Sequence, residues 1–124
     1  MNDSAPPLIL IRENKTWAEA LDYCRENYND LVSVYDRHIQ GWAAEKAKLA
    51  DSPYVWLGIR YTCTMGFWFW VGGQQPCYEN WAQGKGTGDC EMSGAMERAG
   101  DSQWFSLSDA QRLNFICSNN TNVD

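Results

Sequence analysis

Positive charge, histidine and long apolar runs are all scarce in this 124-residue chain. Ten Lys and Arg stand against sixteen Asp and Glu, for a formal net charge of −6. Such a balance lacks the basic footprint that nucleic acid demands, and it is equally unsuited to an anionic lipid surface. No stretch of 18 apolar residues occurs, so the sequence predicts no membrane-inserting segment. The opening MNDSAPPLILIRE has no basic start and only a short apolar run, and it does not read as a secretory leader. His38 is the only histidine and no CxxC pair exists, which removes the usual zinc sets and leaves a Ser-His or Cys-His dyad resting on one residue. Internal repeats, linkers and low-complexity tracts are absent too, so residues 1–124 read as a single domain with its core over about 8–118.

Aromatics and cysteines are what the chain has in quantity. Seven Trp, six Tyr and four Phe favour a compact domain containing β-sheet. Cys24, Cys63, Cys77, Cys90 and Cys117 in a short acidic chain point to an oxidising compartment, and the odd count leaves at least one sulfur outside any internal pairing. Asn2-Asp3-Ser4, Asn14-Lys15-Thr16 and Asn119-Asn120-Thr121 are glycosylation sequons, weak support for secretion.

Leu8 to Ile11 is a short apolar run that reads as a first strand. Thr16-Trp17-Ala18-Glu19 has the form of a capping box, and Trp17, Leu21, Cys24 and Tyr28 follow on one helical face. After a β-favouring run at 31–34, Asp36 is placed to cap a second helix with Ile39, Trp42, Ala43, Ala47 and Ala50 inward; Ser52-Pro53 ends it. His38 falls in its first turn and reads as a surface residue. Only strands follow: Tyr54 to Ile59, the aromatic Phe67 to Trp70 broken by Gly72-Gly73, then Gln103 to Leu107 and Asn114 to Cys117.

In this order and spacing the residues resemble the C-type lectin-like domain over nearly the whole chain. LILIRENKTWAEALDYCRENYNDLVSV is similar to that family's first strand, helix and following strand, and VWLGI to its central strand. Trp68 and Trp70, the Tyr78-Glu79-Asn80-Trp81 turn and Phe115-Ile116-Cys117 match further fixed pieces. The resemblance implies an α+β fold of two helices and two small antiparallel sheets, with a long irregular loop region over roughly 72–103. It also implies a Cys24–Cys117 bridge, whose closure of about 90 residues is worth roughly 4 kcal/mol in the chain-entropy picture. The family's second bridge would join Cys90 to the position held here by Asp109, so it cannot form. Cys63 and Cys77 are then expected to pair across a hairpin, leaving Cys90 as the odd cysteine, either an unpaired, partly buried thiol or a route to a covalent dimer.

Sugar-binding members of the family hold calcium through a Glu-Pro-Asn or Gln-Pro-Asp triplet, an acidic residue before the next cysteine, and an Asn-Asp pair after a tryptophan. A hard dication needs six to eight oxygens, several of them anionic. The matching positions here read Lys85-Gly86-Thr87, Gly88, and Phe105-Ser106, with Asp89 the nearest carboxylate. Gln75-Pro76 precedes the Asn-Trp turn and reads as turn chemistry. Asp89, Glu91, Glu97 and Asp101 read as a solvated face rather than one shell. The expectation is therefore no metal and no cofactor.

What the resemblance then implies is a secreted or extracellular, non-enzymatic binding module that takes a protein or glycan ligand without calcium. Tyr78, Trp81, Lys85, Thr87, Glu91, Arg98 and Trp104 are the candidate contacts, with Lys85 and Arg98 the more exposed and Trp81 and Trp104 also readable as core. Two other classes compete: a disulfide-linked, toxin-like or otherwise oligomeric structural subunit, and a small hydrolase using Glu79 with Asp89 or Glu91.

Overall fold

The computed structural model describes residues 7–119. The sequon at Asn2 lies outside them, as do Asn120 and Thr121 of the last one. The elements follow as β1 (Leu8–Lys15), α1 (Trp17–Asn27), β2 (Asp30–Leu31), α2 (Arg37–Ala47), β3 (Tyr54–Thr62), β4 (Phe67–Trp70), β5 (Met92–Glu97), β6 (Trp104–Ser108) and β7 (Leu113–Ser118). No described helix is long and apolar enough to cross a membrane.

Both helix starts are built as their sequences dictate. The Thr16 hydroxyl accepts from the Glu19 amide at 3.3 Å while the Glu19 carboxylate accepts from the Thr16 amide at 3.0 Å. Asp36 accepts from the amides of His38 and Ile39, both at 3.0 Å. These side chains satisfy donors that a helix start otherwise leaves unpaired.

The two antiparallel sheets expected are the halves of one connected, seven-stranded sheet. Its central path runs β1-β7-β3-β5-β6, with β2 attached to β7 and β4 to β3. The halves join where β3 runs parallel to β7, through Val55↔Asn114 and Trp56↔Phe115. Every other pairing between strands is antiparallel.

Because successive side chains of a strand face opposite ways, the shared sheet feeds two cores. Trp56, Ala95, Leu113, Phe115 and Cys117 pack with Trp17, Ala20 and Cys24 of α1. Val55, Leu57, Ile59, Met96 and Ile116 pack on the other side with Ala43 and Ala47 of α2, together with Trp70 and Trp104. The small alanines of α2 let that helix lie close against the sheet.

β5 is the element that the sequence does not announce. Met92-Ser-Gly-Ala-Met-Glu lacks a β-branched run, yet it lies between β3 and β6, with Ser93 to Met96 all buried. A strand covered on both faces and both edges needs small residues where its neighbours are large, and Gly94 and Ala95 supply them.

Candidate recognition surface

Two disulfides form. Cys24 and Cys117 join α1 to β7 with Cα atoms 5.3 Å apart, as the resemblance implies. Cys63 pairs with Cys90, not with Cys77, at a Cα separation of 5.0 Å. Strand register explains the correction. β4 runs back from the hairpin tip, so Cys77, beyond Trp70, lies past the end of the hairpin away from Cys63. Extending the Arg60↔Ser93 register of β3 and β5 by three residues brings Cys63 opposite Cys90. Cys90 is therefore not the odd cysteine, and while bonded it has no thiol to offer a second chain; the free, exposed thiol is Cys77.

Asp109, which stands where the resemblance puts a bridging cysteine, makes polar contacts instead. Its Oδ2 accepts from Arg60 Nε and Nη2 at 3.1 and 2.8 Å, and its Oδ1 accepts from the Ser93 hydroxyl at 2.6 Å. Its amide donates to the Glu91 carbonyl at 2.9 Å. The turn after β6 is thus tied to β3 and β5 without a second bridge at that place.

The irregular chain between β4 and β5 folds back over a row of aromatic rings. Centroids run from Tyr61 to Trp68 at 5.4 Å, Trp68 to Trp81 at 4.6 Å, Trp81 to Trp104 at 5.5 Å and Trp104 to Trp70 at 5.6 Å. Residues 80–82 are stitched alongside the start of β6: the Trp104 amide donates to the Asn80 carbonyl and the Ala82 amide to the Trp104 carbonyl. Loop 84–90 then lies on the row. The Trp68 indole donates to the Gly86 carbonyl at 3.1 Å, and the Ser106 amide to the Lys85 carbonyl at 2.9 Å.

Two glycines make this approach possible. A methyl at Gly86 would stand 2.6 Å from Cγ of Trp81, and one at Gly88 would overlap the Tyr61 ring. The loop backbone therefore rests directly on the aromatic faces, which no residue with a side chain there would allow.

Gln40 of α2 is the residue that sequence reasoning missed. It is buried, its Oε1 accepts from the Trp104 indole at 2.9 Å, and its Nε2 donates to the Ser102 carbonyl at 2.8 Å. Asn80 Nδ2 donates to that same carbonyl at 3.1 Å. Gln40 sits beside the alanine stripe of α2, and a glutamine there is no signal by itself until Trp104 and Ser102 are known to face it.

The seven candidate contacts do not converge. Lys85 and Thr87 are exposed on the loop. Trp81 is half-buried between that loop and Gly94. Trp104 is fully buried, which corrects its reading as a contact: its ring supports Trp81, Trp70 and Tyr78 from beneath. Tyr78 is half-buried, and that burial pushes its hydroxyl pKa up, with nearby Arg37 pulling down and Asp36 pushing up. Glu91, at φ 62°, is exposed just before β5, while Arg98 is exposed just after it. Arg98 donates to the Ala50 carbonyl at 3.2 Å, so its side chain is held at the turn after α2 rather than at the loop. Exposed Glu79 also precedes the stitched turn.

The one group of three His, Cys, Asp or Glu side chains found close enough to share a metal, among the described residues, is Cys63, Asp89 and Cys90. Two of its members are bonded to each other and offer no thiolate. A cavity of about 700 Å³ lies elsewhere, between α2, at His38 and Trp42, and the start of β1 at Leu8.

The model of the lectin C-type domain family matches residues 13–119. Snaclec 5 of Echis pyramidum leakeyi is 36% identical over 74 residues, covering 57% of this chain and 51% of the relative. The chain thus spans about half the length of that relative. FRAS1-related extracellular matrix protein 1 of Homo sapiens is 30% identical over 117 residues, 89% of this chain but only 5% of that much longer protein. Among solved structures, human lithostathine superposes with a TM-score of 0.83 at 20% identity, covering 94% of this chain and 93% of its own. A calcium-independent type II antifreeze protein gives 0.81 at 20% identity, covering 94% and 88%. With the frame, the Cys24–Cys117 bridge and the family match in agreement, the chain belongs to the C-type lectin domain family.

Proposed function

We propose that this chain is an extracellular recognition module that binds a protein or glycan without calcium, through the exposed side of loop 84–91. The observation that carries the reading is how the loop spends its oxygens. The Lys85 and Gly86 carbonyls are taken up by Ser106 and Trp68, and the side chains around them bring an ammonium, two glycines and a threonine. Asp89 Oδ1 accepts from the Cys90 amide at 2.7 Å. Ser106 Oγ is buried without a partner, a single neutral oxygen where a dication needs several anionic ones. The donor set therefore does not fit calcium.

Lys85, Thr87 and Glu91 are the contacts this reading assigns, on the loop whose Gly86 lies against the Trp81 ring. The aromatic row serves as a rigid bed, since a contact surface held in one geometry loses less entropy on binding. The frame does not demand the ion, as one neighbour of this fold is described as calcium-independent. Two disulfides suit an oxidising compartment.

The test is a screen of the oxidised domain on a glycan array and against cell-surface protein libraries, with calcium and with EDTA. Binding is expected to be insensitive to EDTA, calcium to leave the melting temperature unchanged, and Lys85→Glu to weaken the hit at least about tenfold, as loss of one good contact does. A micromolar calcium isotherm, or full binding by Lys85→Glu, overturns the proposal.

A further inference from the structure

The two disulfides differ in access. Cys24 and Cys117 are wholly buried between α1 and β7, whereas Cys63 and Cys90 are both exposed. Exchange requires an incoming thiolate to reach one sulfur of the bond, so the buried bridge reacts only from an opened molecule while the exposed one reacts in the folded state.

The exposed bridge also sits where its loss has a consequence. It ties the tip of the β3–β4 hairpin to the end of loop 84–90, the segment that covers Tyr61, Trp68 and Trp81. Gly88 lies on the Tyr61 ring just before the bridge, so the bond holds the loop down from that end. The remaining ties are hydrogen bonds at the amide and carbonyl of Lys85 and the carbonyls of Gly86 and Glu91. An Asp89 carboxylate oxygen lies within 4.8 Å of both sulfurs. Its negative charge disfavours thiolate at either cysteine, which slows the attack that opens the bond as well as the one that re-closes it.

We propose that Cys63–Cys90 is a thiol–disulfide exchange site whose co-substrate is an external dithiol, and that its reduction lifts loop 84–90 from Tyr61, Trp68 and Trp81. One thiolate of the dithiol attacks Cys63 or Cys90, forming a mixed disulfide as the other cysteine departs as thiolate and takes up a proton. The second thiol of the dithiol, as thiolate, then displaces the protein sulfur. Two electrons and two protons pass to the bridge, and the dithiol leaves as a disulfide. The oxidised form holds the loop closed on its aromatic bed, and the reduced form exposes an aromatic tract.

The experiment uses the oxidised Cys77→Ser protein, which removes the free thiol, with dithiothreitol under native conditions and differential alkylation read by mass spectrometry. Cys63 and Cys90 are expected to become alkylated together, at least about 100-fold faster than Cys24 and Cys117, because the latter wait on large-scale opening. Hydrogen exchange over 84–90 should rise and tryptophan emission shift to longer wavelength, while α1 and β7 keep their protection. Oxidised Cys63→Ser/Cys90→Ser is expected to show the same open loop without reductant. Equal reduction rates for the two bridges overturn the proposal, as does loop exchange that stays unchanged after selective reduction.

Discussion

At the scale of single residues, Gln40 has the largest disproportion between what it looks like and what it holds. It is the buried link between α2, the Trp104 indole and the Ser102 carbonyl, and Ser102 sits at φ 57°. Replacing it by an apolar side chain of similar size strands a buried indole N–H and removes one of two donors from a buried carbonyl. Gln40→Leu should therefore cost about 1–3 kcal/mol in urea denaturation. Gln40→Glu, which keeps the acceptor for Trp104, should retain the Trp104 hydrogen bond, read as a smaller shift of the indole proton resonance. The residue was not legible as a site residue in the sequence because a glutamine within an alanine-rich helix has no period or motif of its own. Trp104 illustrates the reverse: its motif was legible, but only burial shows that it supports the surface rather than forming it.

At the scale of elements, the start of α1 was the most legible part of the chain, since both members of a capping box are local in sequence. Its cost of removal follows: Thr16→Ala should destabilise the domain by about 1 kcal/mol. Glu19 adds a pH dependence. The Thr16 backbone N–H holds its carboxyl below the usual carboxylate range, against a smaller upward push from burial and with help from Arg112. A depressed folded value means the contact is fully present above the ordinary glutamate pKa and lost as pH falls through the lowered one. Protection of the first-turn amides of α1, taken relative to their intrinsic exchange at each pH, should thus hold through the ordinary titration range and drop only at lower pH, a transition that the non-titrating Glu19→Gln removes. β5 stands at the other extreme. Its small residues carry no strand signal, and what makes them a strand is the pair of large-residue neighbours that close over them.

For the whole molecule, the cysteine pattern sets what assemblies are available. With Cys24, Cys117, Cys63 and Cys90 bonded internally, Cys77 is the exposed sulfur left to join another chain. The oxidised protein should take up one maleimide per chain, and Cys77→Ser should abolish both that label and any dimer seen on non-reducing electrophoresis. A reducible dimer that survives Cys77→Ser contradicts the Cys24–Cys117 and Cys63–Cys90 pairing. The domain's acidic surface and exposed thiol are compatible with a subunit role, but the loop surface on its aromatic bed is the feature that favours ligand recognition.

The sequence by itself determined the family frame: helix starts, the aromatic strands, the Asn80-Trp81 turn and the buried Cys24–Cys117 bridge. Each of these is carried by side chains whose type and spacing are local, or by a resemblance built from such pieces. The resemblance built from those pieces sets Lys85-Gly86-Thr87 against the family's Glu-Pro-Asn or Gln-Pro-Asp triplet and Gly88 against an acidic residue, which is an expectation about calcium and not a demonstration. Tertiary structure alone decided the partner of Cys63, because that depends on the register of β3 against β5, including an irregularity between Trp56 and Arg60 that no sequence rule locates. It alone decided that loop 84–90 lies flat on Tyr61, Trp68 and Trp81, because two glycines permit a close approach without specifying to what. Local chemistry fixes which elements form; which surfaces they present is fixed only when distant segments are packed against one another.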